Sequence, residues 1–432
     1  MPHFSRFLLN CPHLVSLVLH NVKEVKMSHA LSSFTQLSHL EHLDISQFDE
    51  LYGDFANPSL YLEELVKHLP KLRSLDISGT NLASTFREGE GKGRSDGQQC
   101  DIPGLTKRID TPLDFLGLFW TKDEACRREH IPALRVTGNH NQEQLLLAGN
   151  RYLDRPMVME HVIDNLVQQV RLDPDFDQKS ALSLAVAVLQ RHPRERKLLR
   201  HTSALIYYLM ESTKLGSSQE FTRVVKQRLL STLLGVMSQY QEDGVLMRNG
   251  CMVLWRFDSH ESGRHEELLL QYPRVVDILL FVAERFSGQD ESYSQLTAIS
   301  LLNALVCQVD GDQKRVRGVE IVETMLRIIK EKLELSLCDE VMDTAWSVMW
   351  NVTDETPANS ERFLDMNGME VFLQCKEAFP DKMDLLRNMM GLLGNIAEVK
   401  ACRRRLMSGP FVAEFSFLLD SGKDGIEVCC GG

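Results

Sequence analysis

The apolar positions of this chain change period partway along, and the change divides it. Up to about residue 138, leucines recur as L-x-x-L-x-[L/I]. The copies are Leu14-Leu17-Leu19, Leu40-Leu43-Ile45, Leu72-Leu75-Ile77 and, more loosely, Leu113-Leu116-Leu118. Alternating apolar residues suit short strands with one face inward. The starts lie 26, 32 and 41 residues apart (14 to 40, 40 to 72, 72 to 113). The first interval is that of a leucine-rich repeat, and the longer ones require insertions. Leu-Asp-Ile-Ser occurs twice, at 43–46 and 75–78. Residues 60–69, between strands, have helical spacing. The glycine-rich stretch within 87–104 lacks the GxxxxGK[ST] of a phosphate loop and is predicted to be a flexible insertion.

From about Asn141 the apolar residues follow the 3.6 period of helices. One helix of each unit aligns with the next. Gln168, Tyr208, Arg256, Asn303, Asn351 and Asn395 share the same place among apolar neighbours, at intervals of 40, 48, 47, 48 and 44. That is armadillo-like periodicity, and such units stack into a superhelix with a long inner groove. The predicted fold is therefore α/β leucine-rich repeats over 1–138, then an all-α armadillo-like solenoid over 141–432. The last repeat reads as truncated. Residues 425–428 look like the start of another helix, yet the sequence stops at Cys429-Cys430-Gly431-Gly432, as in a fragment.

Two stretches of the helical part carry candidate chemistry. Trp350-Asn351-Val352-Thr353-Asp354-Glu355 and Gly394-Asn395-Ile396-Ala397-Glu398 each place an acid three residues after an asparagine. On a helix that spacing is one face. Asn is a poor helix former, and its amide can serve an extended peptide backbone instead. The plainer reading is that the asparagines satisfy neighbouring backbone or water. An asparagine followed three residues later by an acid occurs only in the last two aligned units; Glu211 stands in the acid place one turn after Tyr208 instead. Neighbouring helices 8–10 Å apart would let both carboxylates reach one ammonium group, with Trp350 as a wall. The plainer reading here is two solvated acids on an acidic protein. Asn303, one unit earlier, would extend the groove. Trp255 and Trp346 are expected in the core.

Composition narrows the function classes. A net charge of −12 over 432 residues argues against a general nucleic-acid or anionic-membrane binder. No apolar run reaches the 18 residues of a membrane span. The ten cysteines are scattered and form no CxxC pair, which suits buried thiols in a reducing compartment, cytoplasm or nucleus. Neither HExxH, zinc spacing nor GxSxG occurs. No cofactor, metal or catalytic set is predicted, so a binding protein is favoured over an enzyme.

Leucine-rich repeats followed by armadillo-like repeats, with WNxTDE at 350–355 and GLLGNIAEV at 391–399, resemble the Zyg-eleven/Zer-one family. Residues 115–119, 130–133, 303–310, 353–357 and 424–428 are similar to its Zer-one branch. The resemblance implies a non-catalytic substrate receptor of a cullin-two RING ubiquitin ligase. It also implies recognition of proteins that begin with a free glycine or another small residue. Carried over, Asp354 and Glu398 would hold the α-ammonium and Asn351 and Asn395 the first peptide units. Trp350 would close the space beside Cα, where glycine lacks Cβ. The segment by which the family docks elongin and cullin is not seen in this chain. The alternative is an armadillo scaffold that binds internal extended segments.

Overall fold

The second leucine of each short motif lies beside that of the next. In the computed structural model, β1 (Ser16–Val18), β2 (His42–Asp44), β3 (Ser74–Asp76), β4 (Phe115–Gly117) and β5 (Val136–Thr137) form one parallel sheet in chain order. Leu17 pairs with Leu43, Leu43 with Leu75, and Leu75 with Leu116. The 26-, 32- and 41-residue intervals are thus the strand register. The structure describes residues 8, 10–23, 33–49, 52–84, 102–173, 175–211, 219–257, 265–287, 292–407 and 411–412. Behind the sheet, α1 (Pro58–His68) buries Tyr61, Leu62, Leu65 and Val66. Strand β5 escaped the sequence pattern because Ala133, which bridges Leu113, stands where a leucine would mark the motif. Of the predicted insertion, residues 87–101 lie outside the described residues. By Ile102 the chain has rejoined the core: that side chain is fully buried. Gly104, at φ 74°, sits where a Cβ would come 2.9 Å from Glu63 Cα.

The repeated Leu-Asp-Ile-Ser has a physical reason. Asp44 Oδ1 accepts from the Ser46 amide at 3.0 Å, and Asp76 Oδ1 from the Ser78 amide at 3.1 Å. Both acids are buried, and buried carboxylates need partners. Helices α2 (Gln142–Arg151) and α3 (Pro156–Leu172) supply them from the turn between. Arg155 pairs with Asp44. Tyr152 donates to Asp76 Oδ2 at 2.9 Å, and its oxygen lies 2.9 Å from Ser78 Oγ and 3.0 Å from Thr137 Oγ1. The secondary structure therefore changes between Thr137 and Gln142. The division into compact units falls later, at 1–209 and 210–432.

Within 210–432 the helices form two layers. The layer that carries the aligned column is α7 (Gly244–Trp255), α10 (Ser292–Val306), α12 (Glu340–Thr353) and α15 (Met383–Glu398), each packed on the next. Behind it run α6 (Gln219–Gln239), α9 (Tyr272–Arg285), α11 (Gly311–Glu334), α13 (Pro357–Asp365) with α14 (Gly368–Ala378), and α16 (Lys400–Leu406). The remaining helices are α4 (Gln178–Arg191), α5 (Arg196–Glu211) and the short α8 (Glu266–Leu269). Helix α12 shows why the layers form. Val341, Ala345, Val348 and Val352 repeat at 4, 3 and 4 residues, flanked by Met342, Trp346 and Met349, and all are buried. Trp346 is fully buried, edge-on to Phe363 and Phe372 at 6.3 and 6.2 Å. Trp255 departs from expectation. It ends α7 with 43% of its surface exposed, directly after Val253 and Leu254, which the helix buries.

Candidate functional site

The site begins with how α12 and α15 are tied. Asn388 Nδ2 donates to the Asp343 carbonyl at 3.0 Å, and Asn395 Nδ2 to the Trp350 carbonyl at 2.7 Å. Both rungs span 45 residues (388 − 343 and 395 − 350), so the helices run parallel in one register. Asn395 Nδ2 also reaches Thr353 Oγ1 at 3.1 Å, which places the ends of the two helices side by side. The Trp350 ring lies on the backbone of α15: a Cβ at Gly391 would come 2.3 Å from its Cε2. Gly394, one turn further on, has nothing within 4 Å of its Cβ position. The groove is therefore walled at Gly391 and open at Gly394.

The asparagine column forms a ladder. Asn351 Nδ2 donates to Asn303 Oδ1 at 2.9 Å, and Asn303 Nδ2 donates to Ser347 Oγ at 3.2 Å. The expected donors are thus largely used between helices. One amide proton of Asn351 and both of Asn395 are taken. What Asn351 and Asn395 keep is their side-chain oxygens, which have no partner among the described residues. These can accept from a peptide N–H.

The two acids differ. Helix α12 ends at Thr353, whose hydroxyl turns back to the Met349 and Trp350 carbonyls at 2.9 and 3.0 Å. Asp354 has already left the helix, at φ −59° and ψ 128°, and Glu355 follows in the left-handed region at φ 55°. The three-residue spacing therefore does not put Asp354 on the helical face of Asn351. The cap geometry turns it toward α11 instead, where Lys314 Nζ meets Asp354 Oδ2 at 3.2 Å and its carbonyl at 3.4 Å. Glu398 is still helical, as the spacing predicts. Its side chain is exposed and has no partner among the described residues. Arg403 caps the carbonyls of Ala397 and Glu398 at 2.6 and 3.2 Å. Each acid thus stands at the negative end of a helix dipole, a place that favours cations.

Sequence reading overlooked Lys314, Ser347, Thr353 and Gly391. Lys314 had a visible signal. It stands on the apolar stripe of α11, in line with Gly318, Ile321, Val322 and Met325, a place where a lysine needs an explanation. Among the described residues no cluster of His, Cys, Asp or Glu could hold a metal ion, and no helix is long and apolar enough to cross a membrane.

Fold and site together define a leucine-rich-repeat protein continued by a helical solenoid. Residues 187–431 match the family described as "Protein zer-1 homolog-like, C-terminal domain", and residues 3–121 match "Zer-1-like, Leucine-rich repeats". The chain belongs to the Zer-1 family. It is 39% identical over 430 residues to "Protein zer-1 homolog" of Drosophila melanogaster, covering 96% of this chain and 53% of that relative. The human protein of the same name is 40% identical, with 97% and 54% covered. "Zyg eleven-related protein 1" of Caenorhabditis elegans is 34% identical, with 96% and 45% covered. The chain spans about half the length of the curated relatives it matches.

Proposed function

We propose that the protein is a non-catalytic substrate receptor that binds a free N-terminal glycine, or another small first residue, in the groove of its helical repeats for a cullin-RING ubiquitin ligase. The reading is supported above all by the paired ends of α12 and α15. Glu398 offers an unpaired carboxylate, Asp354 is the second acid, and Asn351 and Asn395 offer free acceptor oxygens beside them. An α-ammonium and its first peptide N–H need that set: negative charge for the terminus, acceptors for the chain. Trp350 against Gly391, and the open space at Gly394, leave a narrow slot that suits a residue without a large side chain. The proposed partners are proteins with such free termini and, through the longer family members, elongin and cullin-two. The proposed location is cytoplasmic or nuclear.

Titration calorimetry with a Gly-starting peptide and its N-acetylated form tests this. Acetylation removes the charge, so only the free peptide is expected to bind. Equal affinities would overturn the reading. They would favour a second one, a scaffold for internal segments, which draws on the row of Asn acceptors without needing a terminus.

A further inference from the structure

Lys314 is the only lysine or arginine that is buried among the described residues. Its side chain is 6% exposed, while that of Asp354, its partner, is 57% exposed. In an ordinary surface pair both ends are solvated. Here a cation is held inside the protein and aimed outward at the back of a surface carboxylate. A buried ammonium is costly unless charge meets it, and Asp354 is the only acid it pairs with among the described residues. The pair sums to zero. The net charge of the two-acid site is then that of Glu398 alone.

We propose that Lys314 is a charge-selectivity residue: by neutralising Asp354 from beneath, it matches the groove to a ligand that brings a single positive charge at its end. The proposal rests on the reading of the groove as an N-terminus site. A second basic group on the ligand, next to the α-ammonium, would be repelled by Lys314. Without Lys314 the site carries the full charge of both acids, and peptides with a basic second residue gain.

The test is a ratio of affinities. Two peptides that differ only in their second residue, Gly-Lys and Gly-Glu, are titrated into the whole chain and its variants at low and high salt. In Lys314→Met the ratio is expected to move roughly fivefold to tenfold toward Gly-Lys, as for charges about 10 Å apart near a protein surface and screened over about one Debye length. High salt should shrink the shift. Lys314→Arg should keep the wild-type ratio. So should the double variant Lys314→Met with Asp354→Leu, which removes one charge of each sign. Because the ratio is internal to each variant, a uniform loss of affinity does not move it. Should Lys314→Met fail to fold, Asp354→Asn leaves the lysine uncompensated, and the ratio should move the opposite way. An unmoved ratio in folded Lys314→Met, or in Asp354→Asn where that variant is used instead, overturns the proposal. If the wild type also binds acetylated peptide as well as free peptide, it is the N-terminus reading that has failed. If acetylation blocks binding and the ratio stays fixed, only the role of Lys314 has failed.

Discussion

Asn395 Nδ2 donates to the main-chain oxygen of Trp350 at 2.7 Å. The bond fixes the last turn of α15 to the last turn of α12 and sets the two helix ends side by side. Asn388 makes the same bond to Asp343, two turns earlier.

These two rungs should separate stability from binding. Asn388→Ala removes one side-chain hydrogen bond and Asn395→Ala two, each worth about 1 kcal/mol, so urea denaturation should show a loss in both and the larger one in Asn395→Ala. Only Asn395→Ala is expected to weaken a Gly-starting peptide as well. Equal effects on peptide affinity would mean the helix ends hold no special place.

The two glycines of α15 should behave in opposite ways. A Cβ at Gly391 meets the Trp350 ring at 2.3 Å, so Gly391→Ala should destabilise by about 1–3 kcal/mol. Gly394 has open space there, and alanine is the better helix former by about 1 kcal/mol. Gly394→Ala should therefore raise the melting temperature while lowering peptide affinity, because its methyl enters the open end of the slot. A Gly394→Ala protein that binds as the wild type does would move the ligand elsewhere.

Removing Asp354 has two consequences that must be told apart. Asp354→Ala deletes a candidate ligand for the α-ammonium and also leaves buried Lys314 without its counter-charge. With Asp354 partly solvated, the stability loss should be about 1–2 kcal/mol. Adding Lys314→Met should restore stability while peptide affinity stays below that of the wild type. Thermal melts and calorimetry on the single and double variants check this. A double variant that stays as unstable as the single one would show that the pair is not what holds Lys314.

The 1–209 unit should carry two opposed pH dependences. Burial, helped by the neighbouring Asp44, raises the Asp76 carboxyl from 3.8 to about 6. Between those values the folded chain holds a proton that the unfolded chain has released, so this group's contribution falls as pH rises. Burial, then Arg155, lowers the His20 imidazole from 6.5 to about 4. There the unfolded chain holds the extra proton, and stability rises with pH. The slopes oppose each other between about pH 4 and 6. Asp76→Asn should leave a protein that loses stability more steeply on acidification through that window. His20→Gln should leave one that loses less than the wild type. Melting temperatures across the window decide it, and two variants that both track the wild type would remove these groups as its titrating pair.

Much of the fold was legible because local period reports which face of an element is apolar. The L-x-x-L-x-[L/I] intervals are the register of β1 to β4, and the Asn column marks one layer of helices. What the apolar face meets is not a local property. Ala133 and Val136 carry no leucine motif, so β5 is recognised only from its pairing with Leu116 and its Leu113–Ala133 bridge. Trp255 has a core residue's chemistry but stands at the end of α7, where 43% of its surface stays exposed.

The sequence by itself determined the two kinds of repeat, their spacing and the two Asn–acid stretches 44 residues apart (351 to 395). Those follow from residue type and period along one chain. The tertiary structure decided how the stretches differ. It ended α12 before Asp354, turned that acid onto a lysine 40 residues away (354 − 314), and left Glu398 at the end of α15 without a side-chain partner among the described residues. Such pairings depend on how stacked helices meet, and period alone carries no record of that.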